Sequence, residues 1–169
     1  MKKIILFTAI GLTLFSCKKS TSSTPQVVTT TMTATIDGVS DTFNIDTYAY
    51  SEFYVNSDSV HISDFSIQAD DPAGDYFDLE AGAYKSDKFL VKTYHSGGDS
   101  TTYASGYLEP NGGGYFGDYN TANNPFIVTV TSATSSLIQG TFSGPLYTSE
   151  DSTQTAKIVT NGKFTLSRL

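Results

Sequence analysis

Two histidines and one cysteine are the side chains of this sequence best suited to acid–base or nucleophilic chemistry. Catalysis by His61 or His95 would require a serine and a carboxylate beside the ring in space. The sequence has no nucleophile elbow and no His-Glu-x-x-His pair. A hydrolase built on two carboxylates stays open, but no spacing selects a pair among the acids. We therefore predict that the protein is not an enzyme, with a hydrolase as the least favoured alternative.

The cysteine, Cys17, is predicted to carry a lipid. Lys2 and Lys3 precede a mostly apolar run over residues 4 to 15. This run has the length of a signal-peptide core and is too short to cross a bilayer, which takes about 20 residues. Small Ser16 suits a peptidase that cleaves before the cysteine, and the thiol is nucleophilic enough to accept a diacylglycerol. Acylation would remove this thiol from any catalytic role.

The four residues LFSC that end at Cys17 resemble the lipobox of bacterial lipoproteins. The resemblance implies a cell-envelope protein that is anchored through the lipid on Cys17, with the outer membrane as the expected membrane. Surface-exported lipoproteins often carry acidic residues directly after the cysteine, whereas Lys18 and Lys19 follow here. This difference favours the periplasmic face over the cell surface.

An acidic segment, DDPAGDYFDLE, offers oxygen ligands for a hard cation. Ca²⁺ takes several carboxylate or carbonyl oxygens from a bent loop. The carboxylates of this segment belong to Asp70, Asp71, Asp75, Asp78 and Glu80. Their spacing fits no calcium-binding motif. We predict a solvated, turn-rich loop without a cofactor, and a Ca²⁺ site on the four aspartates is the weaker alternative.

A second candidate site combines aromatic rings with glycines. Its rings are Tyr103, Tyr107, Tyr115, Phe116 and Tyr119. Tyrosine joins stacking area to a hydroxyl that can stay in water, so these rings could contact a glycan or an envelope protein. The alternative is that they are exposed strand residues stabilised by cross-strand pairing. The last three rings fall in residues 111 to 124, which we predict to be an irregular, adaptable loop.

Charge and domain organisation limit the class of protein. The formal net charge is −7, and loss of Lys2 and Lys3 with a signal peptide over residues 1 to 16 makes it −9. Such a charge argues against nucleic acid and anionic lipid headgroups as partners. Residues 17 to 26 are predicted to be the lipidated cysteine and a flexible tether. Residues 27 to 169 have the length of one domain, which must be stable without an intramolecular disulfide.

Composition and periodicity predict an all-β domain. Tyr, Phe, Thr and Gly are abundant, and apolar residues alternate with polar ones along most of the chain. About nine strands at a spacing of roughly ten residues fit a single antiparallel β-sandwich or an up-and-down β-barrel, which periodicity alone does not distinguish. Phe142 and Phe164 are expected to face inward.

Three local patterns give specific expectations. The dipeptide Asp37-Gly38 between alternating segments predicts a two-residue hairpin turn. Unbroken alternation across residues 161 and 162 predicts one strand with a bulge instead of a second hairpin. Residues 89 to 92 are predicted to be a strand that pairs with residues 101 to 108.

Four segments resemble the small lipoproteins of Bacteroidetes that carry an uncharacterised all-β domain. The segments are MTATIDGV, GAYKS, IQGTFSG and IVTNGKFTLSRL, and the match covers most of residues 28 to 169. Their shared features are turn glycines and core aromatics. The resemblance implies the fold and the lipid anchor, and it implies no activity and no site residues.

From these observations we expect a lipid-anchored envelope protein whose β-domain binds without catalysis. The partner would be a small ligand in the mouth of a barrel or another envelope component. The alternative is a structural or accessory subunit with no ligand of its own. An interior cavity of about 300 Å³ or more would favour the small ligand, and a filled core would favour a protein partner.

Overall fold

The computed structural model describes residues 30 to 55, 61 to 86, 89 to 97, 101 to 110, 113 to 117, 124 to 148 and 155 to 167, with the side chains of residues 49 to 55 and of residue 61 excepted. Cys17, the predicted tether and Tyr119 lie outside these ranges. Within them the chain is all-β. None of the described segments is a helix long and apolar enough to cross a membrane.

Ten strands are found in the described residues. In chain order they are β1 (Thr31–Ile36), β2 (Val39–Val55), β3 (His61–Asp70), β4 (Tyr76–Tyr84), β5 (Thr93–His95), β6 (Thr102–Glu109), β7 (Tyr115–Phe116), β8 (Ile127–Ala133), β9 (Leu137–Thr148) and β10 (Lys157–Ser167). All their pairings are antiparallel.

Eight of these strands form a closed barrel. The order is β10-β1-β2-β3-β4-β6-β7-β9, and β9 pairs back with β10 to close the ring. The other two strands lie outside the ring, because β8 pairs with β9 and β5 pairs with β8. The all-β prediction is therefore confirmed, and of its two architectures the structure adopts the barrel.

The interior of the barrel is filled by side chains. One residue in two along each strand points inward, and the buried apolar residues form a single cluster with members from nearly every strand. Phe142 and Phe164 are both 2% exposed, which confirms their predicted inward orientation. Aromatic contacts connect the cluster across the barrel, for example between Phe65 and Phe164, whose ring centroids lie 5.0 Å apart.

Large rings fit into the interior because glycines lie opposite them. Gly162 pairs with Phe142, and Phe164 pairs with Gly140, on the adjacent strands β9 and β10. A Cβ atom at Gly162 or Gly140 would lie within 2.6 Å of the facing ring. The glycines of the segments IQGTFSG and NGKF are thus strand residues rather than turn residues, and their role is to leave room for phenylalanine.

Three further glycines surround Phe126, which precedes β8 and is fully buried. Cβ atoms at Gly106, Gly117 and Gly144 would each lie within 2.8 Å of Phe126. These glycines belong to β6, to the residue after β7 and to β9, so the ring lies where the three strands meet. We call Gly106, Gly117 and Gly144 the glycine socket. Gly117 N also donates to Gly106 O at 2.7 Å.

Two local predictions are confirmed. Asp37 and Gly38 have φ values of 49° and 86° and connect β1 to β2 as a two-residue turn. Asn161 also has a positive φ, of 53°, and β10 continues through it with a shift of register between Val159 and Gly162. This shift is the predicted bulge.

Two predicted segments have a different structure. Residues 70 to 80 are not a loop: Asp70 ends β3, a turn follows, and β4 begins at Tyr76, because the turn signals occupy only residues 71 to 75. Residues 89 to 92 are not a strand: Phe89 is buried and β5 contains only residues 93 to 95. Accordingly β6 pairs with β4 and β7 and not with this segment.

The predicted loop over residues 111 to 124 contains a strand. Tyr115 and Phe116 form β7, which pairs with β6 on one side and with β9 on the other. These two residues close the barrel. The prediction was wrong here because a two-residue strand is too short to show any periodicity.

The glycine socket generates a test of the fold. Gly106→Ala would place a methyl group 2.5 Å from the tip of the Phe126 ring, and overpacking of this kind costs about 1–3 kcal/mol. Phe126→Leu removes the ring tip. In the double variant we therefore expect the two losses to be less than additive by about 0.5–3 kcal/mol, measured by urea denaturation.

Gly113 provides the control for this cycle. A Cβ at Gly113 would meet no atom within 4 Å, so Gly113→Ala should change the free energy of unfolding by about 0.5 kcal/mol or less. Additive losses in the Gly106 and Phe126 double variant would show that the ring does not occupy the socket.

Candidate functional site

The candidate site is the outer face of β3, β4, β6 and β7, which carries tyrosine and carboxylate side chains. Along β4, Phe77, Leu79 and Ala81 face the core, so the alternate residues point to solvent. We call this surface the tyrosine–carboxylate face. Its principal residues are Asp64, Ser66, Tyr76, Asp78, Glu80, Tyr84, Tyr103, Ser105, Tyr107 and Phe116.

One group of rings on this face is organised around Gly82. This glycine pairs with Asp64 on one side and with Tyr103 on the other. A Cβ on Gly82 would lie 2.7 Å from the Tyr103 ring, so the ring lies flat across β4. Its hydroxyl thereby reaches β3 and donates to Asp64 Oδ2 at 2.7 Å. Tyr84 packs beside it, with ring centroids 5.2 Å apart.

The second group of rings is centred on Tyr107. Its ring covers Gly114, where a Cβ would lie 2.7 Å away. Phe116 and Tyr76 flank the same ring at centroid distances of 4.8 and 6.2 Å. The Tyr107 hydroxyl donates to Glu109 Oε2 at 2.8 Å. Tyr103 and Tyr107 are four positions apart on β6, so the two groups lie about 14 Å apart along the strand.

Between the two groups lies a floor of small and acidic residues. Glu80 pairs with Ser66 on β3 and with Ser105 on β6, so short side chains flank its carboxylate on both sides. We call Ser66, Asp78, Glu80 and Ser105 the trough. Asp78 is the next outward residue of β4, and Ser66 Oγ donates to its Oδ1 over a long 3.4 Å. The trough therefore contains two carboxylates side by side.

Burial raises the pKa values of the ionisable side chains in and beside the trough. Loss of solvent raises the pKa of Glu80, and the negative charges of Asp78 and Asp64 raise it further. Burial likewise raises the pKa of Asp78, against the hydrogen bonds from Gln68, Ser66 and Tyr76. Burial and the charge of Asp78 raise the pKa of Tyr76 to about 12. Ionised carboxylates in this position reduce the stability of the fold, and perturbed groups of this kind are more common at functional sites.

The predicted aromatic site is divided by the structure. Tyr103, Tyr107 and Phe116 lie together on the tyrosine–carboxylate face. Tyr115 has the opposite orientation on β7: it packs against the core, and Lys157 Nζ lies 5.7 Å from its ring centroid. Tyr119 is outside the described residues. Gly114 and Gly117 are covered by Tyr107 and Phe126, so they belong to the packed barrel wall and not to an adaptable loop.

The predicted calcium ligands are also separated. Asp71 Oδ1 accepts hydrogen bonds from the backbone N–H groups of Ala73 and Asp75 at 2.7 and 2.8 Å, so this carboxylate stabilises the turn between β3 and β4. Asp78 lies on the strand face instead. In the part of the chain that the structure describes, no three His, Cys, Asp or Glu residues are grouped as a metal site would require.

The two histidines belong to different parts of the fold. His95 ends β5, which is the outermost strand beyond β8. His61 begins β3 within the barrel wall, and its side chain is outside the described residues. His95 pairs with Ile127 of β8, so the two histidines are not brought together on neighbouring strands.

A second surface feature lies on the opposite side of the barrel. It is an open depression of about 390 Å³ across β10, β1 and β2, with polar lining residues that include Thr33, Ser40, Asn161 and Lys163. Small-molecule sites are mostly apolar with a few polar groups. Because this depression has no aromatic residue in its lining, it is a weaker candidate than the tyrosine–carboxylate face.

Sequence reasoning missed part of the face because it assigned residues 76 to 80 to a loop. The segment YFDLEAGAY alternates strictly from Tyr76 to Tyr84, with apolar Phe77, Leu79, Ala81 and Ala83 on the other parity. This period of two was the available signal. It would have placed Tyr76, Asp78 and Glu80 on one exposed face.

The chain was compared with protein-family models, curated proteins and solved structures, and nothing matches. The assignment of a site therefore depends on the geometry of the chain itself.

The trough generates a prediction about pH and stability. A carboxylate whose pKa is raised in the folded state binds more protons folded than unfolded, so stability falls as pH rises from about 4.3, the ordinary Glu value, through the raised pKa. Glu80→Gln removes this effect. The variant should therefore melt at a higher temperature than the wild type at pH 7.5, and the gain should disappear near pH 4.

Asp37 provides a control of opposite sign. Its pKa is lowered, first by its bond to Lys157, whose Nζ lies 2.9 Å from Oδ2. Its contribution is present at neutral pH and is lost as pH falls through the lowered pKa. Asp37→Asn should therefore melt lower than the wild type at pH 7.5. A Glu80→Gln variant that also melts lower at pH 7.5 would contradict the desolvation of Glu80.

Proposed function

We propose that the protein is a lipid-anchored, non-catalytic binding protein of the cell envelope, and that the tyrosine–carboxylate face is its recognition surface. The observation that carries this proposal is the face itself: two groups of half-buried rings on either side of a trough with two desolvated carboxylates. Ionisable groups whose burial reduces stability are more common at functional sites than elsewhere on a protein.

The filled barrel supports an outer site over an inner one. Phe65, Phe77, Phe126 and Ile138 are among the largest fully buried side chains, and they occupy the space that a ligand in the barrel would need. A ligand of drug size takes about 300–1,000 Å³. Recognition on the outside of the wall avoids any rearrangement of this core.

The arrangement of the rings supports binding rather than a purely structural role. Tyr103 and Tyr107 lie against glycines and are half-buried, so each ring is held in place by the sheet. Rings held in this way lose little conformational freedom on binding, which favours them as contact residues. A structural or accessory subunit without a ligand is the alternative, and it gives no reason for Glu80 and Asp78 to occupy the trough.

The proposed location depends on the segment before the domain. The signal peptide over residues 1 to 16 and the lipid on Cys17 would place the domain at the outer membrane, with the periplasmic face favoured by Lys18 and Lys19. A tether of about nine residues reaches about 30 Å when extended. The tyrosine–carboxylate face would then be free to meet partners in any orientation.

Obstruction of the trough tests the recognition surface. Ser105 lies at its floor and is half-buried, so Ser105→Lys should fill the trough with a long side chain and introduce a positive charge. We expect this variant to lose the envelope proteins or glycans that the immobilised wild-type domain captures from solubilised envelopes and glycan arrays.

Thr33→Lys is the matched control for this experiment. Thr33 is a half-buried outward residue of β1 on the opposite side of the barrel, so this variant should capture the same components as the wild type. Equal capture by Ser105→Lys would contradict the proposed surface. Capture of no component by wild type and control would favour the structural subunit.

The lipid anchor has its own test. Since Cys17 is the only cysteine, Cys17→Ala should abolish acylation and release the protein into the soluble fraction after cell lysis. Labelling with an alkyne fatty acid should likewise be lost. A variant that still sediments with membranes in high salt would contradict the lipoprotein assignment.

A further inference from the structure

We propose that the tyrosine–carboxylate face binds a basic segment of a protein partner, with lysine or arginine side chains placed in the trough between the two aromatic groups. This inference depends on the proposed function and names the partner's chemistry. It follows from the charge of the face, the half-buried rings and the shape of the surface.

The charge of the face is of one sign. Strands β3, β4, β6 and β7 contain no lysine and no arginine in their sequences. Their five carboxylates belong to Asp64, Asp70, Asp78, Glu80 and Glu109. A face with this potential repels phosphate, nucleic acid and acidic glycans, and it attracts cations. The partner that complements it therefore carries positive charge.

The rings add a second interaction that prefers cations. Lysine and arginine are attracted to the faces of aromatic rings within about 6 Å of the centroid, and a guanidinium group also stacks on them. The protein already contains such contacts, because Lys157 Nζ lies 5.7 Å from the Tyr115 centroid and Lys92 Nζ lies 5.6 Å from that of Tyr94. Tyr103 and Tyr107 present equivalent rings beside carboxylates.

The shape of the surface favours a protein segment over a small amine. The face lies on the outer wall of a barrel, and the two ring groups are about 14 Å apart along β6. A small ligand needs a concave site that buries about 70–90% of its surface, which this open wall does not provide. A peptide segment compensates because its neighbouring residues add contact area on both sides of the trough.

A neutral glycan would satisfy the rings but not the trough. Sugar hydroxyls could donate to Glu80 and Asp78, yet the charges of these carboxylates would stay uncompensated in a surface further desolvated by the ligand. A cation removes that cost, since it pairs with the carboxylates in charge-assisted hydrogen bonds. The structure therefore favours the basic segment.

Titration of the purified domain with four probes tests this inference. The probes are hexalysine, hexaarginine, spermidine and maltohexaose, each measured by calorimetry at low and high salt. We expect the two peptides to bind the wild type with an affinity that falls with salt, spermidine to bind more weakly, and maltohexaose not to bind.

Two double variants of equal net charge make the test specific. Asp78→Asn with Glu80→Gln should reduce hexaarginine affinity about tenfold or more, the loss expected for charge-assisted hydrogen bonds. Asp41→Asn with Asp75→Asn removes two carboxylates that lie outside the trough, and should leave the affinity within about twofold of the wild type.

Four outcomes would overturn the inference. Equal losses in the two double variants would show that the peptides respond only to net charge. Spermidine that binds as tightly as the peptides would assign the face to a small amine. Binding of maltohexaose to the wild type that is lost in Ser105→Lys would identify a glycan surface and leave the proposed function intact. Binding of any probe that Ser105→Lys does not weaken would overturn the proposed surface as well.

Discussion

The close contact between Phe126 and the glycine socket is the constraint on which the barrel depends. β7 has only two residues, so its backbone hydrogen bonds connect β6 to β9 over a very short length. Phe126 packs against glycines from both strands and from the end of β7. The residue can be buried there because Gly106 and Gly117 leave room for its ring and Gly144 leaves room for its Cα atom. Ser96, the residue after β5, also holds Phe126 in position, because its Oγ accepts a hydrogen bond from Phe126 N at 2.8 Å.

Glycines leave room for aromatic rings on both the inner and the outer surface of the barrel wall. Inside, Phe142 and Phe164 lie on Gly162 and Gly140, and the rings fill the barrel. Outside, Tyr103 and Tyr107 lie on Gly82 and Gly114, and the rings form an aromatic surface. In the described part of the chain the rings fill the barrel interior, which is why the proposed recognition surface is on the wall. The carboxylates between the outer rings reduce stability, and binding of a cation would compensate them.

Much of the fold is predictable from alternation of apolar and polar residues, because each strand of the barrel has one wet and one dry face. The hairpin at Asp37 is predictable from the Asp-Gly dipeptide, and the bulge at Asn161 is predictable because the alternation continues across it. The closure by β7 is not, since two residues carry no period. The role of the glycines depends on which ring faces them across the barrel, which is a tertiary property. The alternation from Tyr76 to Tyr84 nevertheless predicts the part of the face that β4 contributes.

The most direct test of the central claim is to map the recognition surface on the folded domain. Backbone amide NMR shifts of the ¹⁵N-labelled protein, followed during titration with hexaarginine, would locate the contact residue by residue. The account predicts shifts at residues 64 to 66, 78 to 82 and 103 to 107, with the amides around Thr33 and Lys163 unchanged. Shifts concentrated on β1 and β10, or spread uniformly over the acidic residues, would contradict it.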